Sequence, residues 1–134
     1  MQINPYIFFN GDCRQAFEFY AKVLDGRIEA MLIYAETPAG ASVGEDWQDR
    51  IIHARLSVGE RVIMASDAPP GNASEKPAGF YVQLDFPTPE EAERVFIAFA
   101  EGGEVRMPFA PTFWARRFGM LVDRFHIPWM VNCT

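Results

Sequence analysis

Apolar and polar positions change period along this chain, and each change marks an element. Ile3 to Asn10 is an extended apolar run that ends in the turn-forming pair Asn10-Gly11. From Cys13 the period becomes helical: Cys13, Ala16, Phe17, Tyr20, Val23 and Leu24 fall on one face. Asp12 fits the N-cap of that helix with Gln15 as its reciprocal partner, and Gly26 fits a left-handed stop. A strand is predicted over about Arg27 to Tyr34. A loop follows from about Glu36 to Asp49, which holds Trp47 and is long enough to act as a lid. Ile51 to Val58 and Arg61 to Ser66 then read as a hairpin closed by Gly59-Glu60, where a leading glycine suits a type II′ turn. That turn sets Val58 against Arg61 and Arg55 against Met64. Ile52, Ala54, Leu56, Ile63 and Ala65 then lie on a covered face, and His53, Arg55, Ser57, Met64 and Ser66 on a wetter one.

The same order returns in the second half. Gly79 to Phe86 reads as a strand with Phe80, Val82, Leu84 and Phe86 buried, and Tyr81, Gln83 and Asp85 on the other side. Thr88 caps a second helix, with Pro89 at its first position, Glu91 closing a capping box, and Ala92, Val95, Phe96, Phe99 and Ala100 as its buried stripe. Strands are predicted near Val105 to Phe109, Trp114 to Val122 and Ile127 to Cys133. In the last, Ile127, Trp129, Val131 and Cys133 share one face, and Pro128, Met130 and Asn132 the other. Asn10-Gly11-Asp12 closing in Asp25-Gly26 is mirrored by Pro87-Thr88-Pro89 closing in Gly102-Gly103, so one βαβββ unit has been used twice. The expected organisation is a single domain over 1–134, built of modules at about 1–67 and 79–134 with a proline-rich linker at 68–78. The expected class is α+β, with paired modules forming a curved mixed sheet around a cleft.

Composition narrows the partners. A chain of 134 residues with 49% hydrophobic content can bury a core without staples. Its net charge of −6 argues against nucleic acid, which needs a basic face. No basic leader and no apolar run of membrane-spanning length stand in the sequence, so a soluble cytoplasmic protein with no membrane partner is expected. Cys13 and Cys133, without a CxxC, read as small buried apolar residues in a reducing compartment. Cys13, at a helix N-terminus, is also the one thiol placed for a lowered pKa, although no histidine adjoins it.

Several segments together resemble the PhnB-like family of the vicinal oxygen chelate superfamily, which has the glyoxalase/bleomycin-resistance fold. They are Pro5-Tyr6-Ile7-Phe8-Phe9-Asn10-Gly11, Asp46-Trp47-Gln48-Asp49 leading to His53-Ala54, and Met64-Ala65-Ser66-Asp67. Phe113-Trp114-Ala115-Arg116-Arg117-Phe118-Gly119 and Pro128-Trp129-Met130-Val131-Asn132 complete the set. The resemblance implies paired βαβββ modules around a cleft and a homodimer. It also implies four metal-ligand positions, which fall here near Pro5, Met64, Tyr81 (or Phe80) and Met130. None is a carboxylate or imidazole, the donors that hard and borderline ions need, so neither metal nor other cofactor is expected. Relatives carry a demethylubiquinone methyltransferase label, but this chain has no glycine-rich nucleotide loop for S-adenosylmethionine. Asp123-Arg124-Phe125-His126 stands where the family shows Asp-Pro-Phe-Gly, so a strained turn is expected there.

The expected ligand-binding cleft comprises His53, Arg55, Met64, Ser66, Tyr81, Gln83, Trp47, Trp114, Arg117, Met130 and Asn132, with Asp85 beside them. Arg55 and Arg117 either grip a ligand carboxylate or phosphate or pair with acids on an open sheet face. His53 has a structural or ligand-hydrogen-bonding role, or else serves as an acid-base group, the catalytic candidate. Trp47 and Trp114 are lid and wall, or else interface. Three functions follow as expectations. The first is a small-molecule-binding protein without the usual metal ligands. The second is a lyase, isomerase or dioxygenase with a relocated metal or a His53-assisted step. The third is a drug-sequestering resistance protein. Whether the chain is an enzyme stays open at this point.

Overall fold

A computed structural model describes residues 1–69 and 76–134. The expected linker at 68–78 lies partly outside the described residues, at 70–75. The chain divides into two compact units, Met1–Glu75 and Lys76–Thr134. Each holds a four-stranded mixed sheet backed by one helix, in the same connectivity, so the fold is α+β.

In the first unit β1 (Tyr6–Phe9), α1 (Cys13–Leu24), β2 (Arg27–Ile33), β3 (Ile51–Val58) and β4 (Arg61–Asp67) build a sheet of order β1-β4-β3-β2. β1 runs parallel to β4 from Tyr6↔Met64 to Phe9↔Asp67. The strand is shorter than its apolar run because β4 accompanies it only from Tyr6 on, and Ile3 is left exposed. The hairpin register is the expected one, from Val58↔Arg61 through Arg55↔Met64 to Ala54↔Ala65. Gly59 has a φ of 58° and Glu60 is not among the positive-φ residues, as a II′ turn requires. One assignment fails: Ile51 is buried in place of Ile52. A bulge against β2, where Leu32 pairs with His53 and Ile33 with Ile51, inserts Ile52 as an extra residue and reverses the alternation.

α1 buries Cys13, Ala16, Phe17, Tyr20 and Val23, the stripe expected from its period except for Leu24, which is only partly buried. Its ends differ from the expectation. Asp12 makes no side-chain cap bond. The Asp67 carboxylate, arriving from the end of β4, caps the helix instead: Oδ1 accepts from Gly11 N at 2.8 Å and Cys13 N at 3.1 Å. Its Oδ2 accepts from Ile51 N at 2.8 Å, so one buried carboxylate ties β1, α1 and β3 together. At the C-terminus Asp25, with a φ of 53°, takes the left-handed position assigned to Gly26. Gly26 is needed for space: a Cβ there would stand 2.8 Å from the Ser57 carbonyl oxygen.

The second unit repeats the plan with β5 (Val82–Asp85), α2 (Pro89–Ala100), β6 (Glu104–Ala110), β7 (Arg117–Val122) and β8 (Pro128–Cys133), in the order β5-β8-β7-β6. Thr88 Oγ1 accepts from Glu91 N at 3.3 Å, the threonine half of the expected capping box. β5 is shorter than expected, pairing with β8 only over Val82↔Trp129 to Asp85↔Asn132, and Phe80 is exposed rather than buried. Trp114 stands in a turn, not a strand, where Thr112 N donates to the Ala115 carbonyl. Asp123, in the turn between β7 and β8, is a second buried carboxylate that accepts three bonds: its Oδ1 accepts from Phe125 N (2.8 Å) and Ile127 N (3.0 Å), and its Oδ2 from the Trp129 indole (2.8 Å). Within this turn His126 has a φ of 70°, the conformation that glycine would adopt without strain. Histidine is tolerated there at about 1–2 kcal/mol.

Candidate functional site

Since each helix covers one side of its sheet, strand alternation decides what the other side presents. In the first unit two rows cross the open face. One runs Tyr6, Met64, Arg55, Ala30, each paired with the next across a strand boundary. The other contains Phe8 beside Ser66, and His53 beside Leu32. The Tyr6 hydroxyl and His53 Nδ1 are 3.3 Å apart, their rings stack at 6.0 Å, and Tyr6 meets Phe8 at 5.3 Å. Arg55 Nε donates to Glu29 Oε2 at 2.9 Å, and its Nη1 lies 4.0 Å from the Met64 sulfur. The guanidinium holds the Glu29 carboxyl below its usual range. Tyr6, Phe8 and Leu32 are 43%, 49% and 41% exposed, so this face joins accessible apolar surface to an imidazole and a guanidinium.

His53, Arg55, Met64 and Ser66 therefore share one surface, as their spacing indicated. Tyr6, Phe8 and Glu29 join them and were missed. Every residue of the first strand from Pro5 to Phe9 is apolar or aromatic, so only the burial of Ile7 and Phe9 reveals that Tyr6 and Phe8 face outward. Trp47 has its ring contacts elsewhere: it meets Tyr34 edge-on at 5.8 Å and carries the Arg50 guanidinium at 4.3 Å. Its loop is wound into short 3₁₀ turns pinned by Gln48 Nε2, which lies 2.9 Å from the Gly40 carbonyl and 3.1 Å from that of Val43. That loop is a braced structure.

The second unit has equivalent rows. One runs Gln83, Met130, Met120, Met107, the other Asp85, Asn132, Phe118, Ala110. Met130 and Asn132 thus lie on the open face of the second sheet, as Met64 and Ser66 do on the first. Asn132 Nδ2 donates to Asp85 Oδ1 at 2.9 Å, and the Tyr81 hydroxyl accepts from Arg106 Nη1 at 3.1 Å, an arginine that sequence reading passed over. Trp114 packs on Phe118 at 5.4 Å and on Phe113 at 4.7 Å. Arg117 does not join this face. It pairs with Cys133, on the side of Gly119 and Leu121, and its Nη1 donates to the Arg116 carbonyl. The second helix backs that side, where a Cβ on Gly119 would stand 2.5 Å from Phe96.

The four positions that the resemblance marks for a metal ion, near Pro5, Met64, Tyr81 (or Phe80) and Met130, carry no carboxylate or imidazole. The Pro5 carbonyl is taken by Met64 N in the strand ladder at 3.0 Å. The Met64 thioether lies against a guanidinium, and the Tyr81 hydroxyl accepts a hydrogen bond from Arg106. Met130 offers a thioether, which suits soft ions only. Among the described residues no group of His, Cys, Asp or Glu side chains is placed to hold a metal ion.

Cys13 is likewise unsuited to nucleophilic work. Burial, and then the Asp67 charge, raise its pKa far above the ordinary 9.0, with Arg14 opposing. The same two causes, in the same order, raise that of Tyr34. A raised folded-state pKa stabilises below the ordinary value, and that stability is lost as pH rises. Urea unfolding is therefore expected to show stability falling from pH 9 upward by about 1.4 kcal/mol per pH unit from the thiol. Cys13→Ala should flatten the slope; an unchanged slope would exclude the thiol as its source.

Comparison with known proteins agrees with this architecture. The profile of the Glyoxalase/Bleomycin resistance protein/Dioxygenase superfamily matches residues 2–131. Protein YjdN of Escherichia coli K12 is 35% identical over 98% of this chain and 95% of its own length. The crystal structure of protein PA1353 from Pseudomonas aeruginosa superposes with a TM-score of 0.92 at 50% identity, covering 99% of this chain and 97% of that one. The PhnB protein from Bacillus cereus shares the fold with a TM-score of 0.83 at 24% identity over the full length of both chains. Among the described residues no helix is long and apolar enough to cross a membrane. The chain belongs to the glyoxalase/bleomycin resistance protein/dioxygenase superfamily, with the fold of its PhnB-like members.

Proposed function

We propose that this protein binds a small organic molecule on the open sheet face of its first unit, without using the superfamily's metal positions. The observation that carries this reading is the accessible Tyr6–Phe8 pair, flanked on the same face by His53 and Arg55. Apolar walls with a few polar groups are what small-molecule sites present. The ligand has an apolar or aromatic body that stacks on Tyr6 and Phe8, and an acceptor group that reaches Arg55. Glu29 holds the guanidinium by its Nε edge, so recognition uses the Nη groups.

A fluorescent apolar sulfonate, 1-anilinonaphthalene-8-sulfonate, tests the reading. Saturable binding of one dye per chain is expected, weakened about ten-fold by Arg55→Ala and by Tyr6→Ala, the size of one charge-assisted bond or one ring contact. Non-saturable binding, or variants that bind the dye as tightly as the native protein, would refute it.

One observation favours a second reading, in which the face also does chemistry. The Tyr6 hydroxyl lies 3.3 Å from His53 Nδ1, so a proton can pass between phenol and imidazole. In that case Tyr6→Phe and His53→Gln abolish turnover of a bound substrate while leaving the dye affinity near that of the native protein. Turnover that survives both changes removes the enzymatic reading.

A further inference from the structure

We infer that Asp85 and Asn132 form an anchoring site in the second unit for a cationic nitrogen head group, an ammonium or amidinium carried on an apolar body. This goes beyond the function proposed above and does not rest on the first unit's face. Asn132 is only 4% exposed. Its Nδ2 donates to Asp85 Oδ1 at 2.9 Å, and that bond decides how the amide is turned, because the opposite orientation would set oxygen against oxygen. Its Oδ1 is then buried and, among the described residues, has no hydrogen-bond partner. A buried acceptor in this state calls for a donor from outside the chain.

The surroundings state which donor. Asp85 is exposed and, among the described residues, no lysine or arginine forms an ion pair with it. Its Oδ2 has only the Thr134 hydroxyl at 3.5 Å. Phe118 stands beside Asn132 across the strands, with the half-exposed Trp114 ring upon it. A carboxylate, an amide oxygen and the Phe118 ring in one row, with the Trp114 ring packed on the last, all attract a cation, and none attracts an anion. Arg117, the cation next to Phe118 in sequence, lies on the other side of the sheet. The chain's net charge of −6 favours approach of the same sign of ligand.

Calorimetric titration with 2-phenylethylammonium, its neutral analogue 2-phenylethanol and the anion phenylacetate tests the site. The ammonium should bind about ten- to a hundred-fold more tightly than the alcohol, the range of a hydrogen bond to a charged group, and phenylacetate should not compete. Asp85→Asn should remove that preference, and Asn132→Leu should reduce it by a similar factor. Equal affinity for the three probes, no binding of the ammonium, or full affinity in Asp85→Asn would overturn the proposal. So would an Asn132→Leu protein that is more stable and binds unchanged, since a water would then be what Oδ1 holds. Because Asp85 is exposed, its variant decides the matter even if Asn132→Leu does not fold. The sulfonate dye reports the first unit's face separately, so the two proposals fail independently.

Discussion

Asp67→Ala is expected to destabilise the protein by about 3–5 kcal/mol in urea unfolding followed by circular dichroism. The side chain is 1% exposed and accepts from Gly11 N, Cys13 N and Ile51 N. Alanine would leave three backbone donors without their acceptor, two of them at a helix N-terminus, where the carboxylate also meets the helix dipole. The loss is a large fraction of the roughly 5–15 kcal/mol that holds a typical domain folded. Asp67→Asn should fall between the two proteins, because it keeps one acceptor oxygen and turns an NH₂ toward a donor. A loss under about 1 kcal/mol for Asp67→Ala, less than one orphaned buried donor costs, would show that water replaces the carboxylate and that it is not the clamp described.

Asp123→Ala should cost about 2–4 kcal/mol by the same physics. Here two backbone donors and the indole of the fully buried Trp129 lose their acceptor. The turn it braces also holds His126 in a left-handed conformation, so the strain there would no longer be offset. Trp129 emission should shift to the red as the indole gains water. Native-like emission together with native-like stability would contradict the assignment. Trp47→Phe and Trp114→Phe backgrounds isolate the signal, since these are the other two tryptophans.

Much of the candidate site was legible because it depends on alternation. Arg55, His53 and Met64 were put on one face by counting back from Gly59-Glu60, and the pairing Arg55↔Met64 is the one observed. The count succeeds as far as the ladder is regular. It fails at Ile52, where a bulge inserts a residue; Arg117, placed in the cleft without such a count, shares a side with Cys133 rather than with Asn132. Tyr6 and Phe8 were hidden for a different reason. Polarity cannot mark a face when both faces are apolar, as they are from Pro5 to Phe9.

The local signals in the chain were enough by themselves to determine the duplicated βαβββ order, both helices with their buried stripes, the II′ hairpin and the Thr88 cap. Each rests on contacts within a few residues, where spacing and turn chemistry suffice. The true cap of the first helix, the partner of Tyr6, the acid that holds Arg55 and the orphaned oxygen of Asn132 were decided by tertiary structure alone. Asp67 reaches the helix start from 54 residues away, and Asn132 meets Asp85 across 47. Such pairings arise only when strands distant in sequence are set side by side, and no local periodicity encodes which of them will meet.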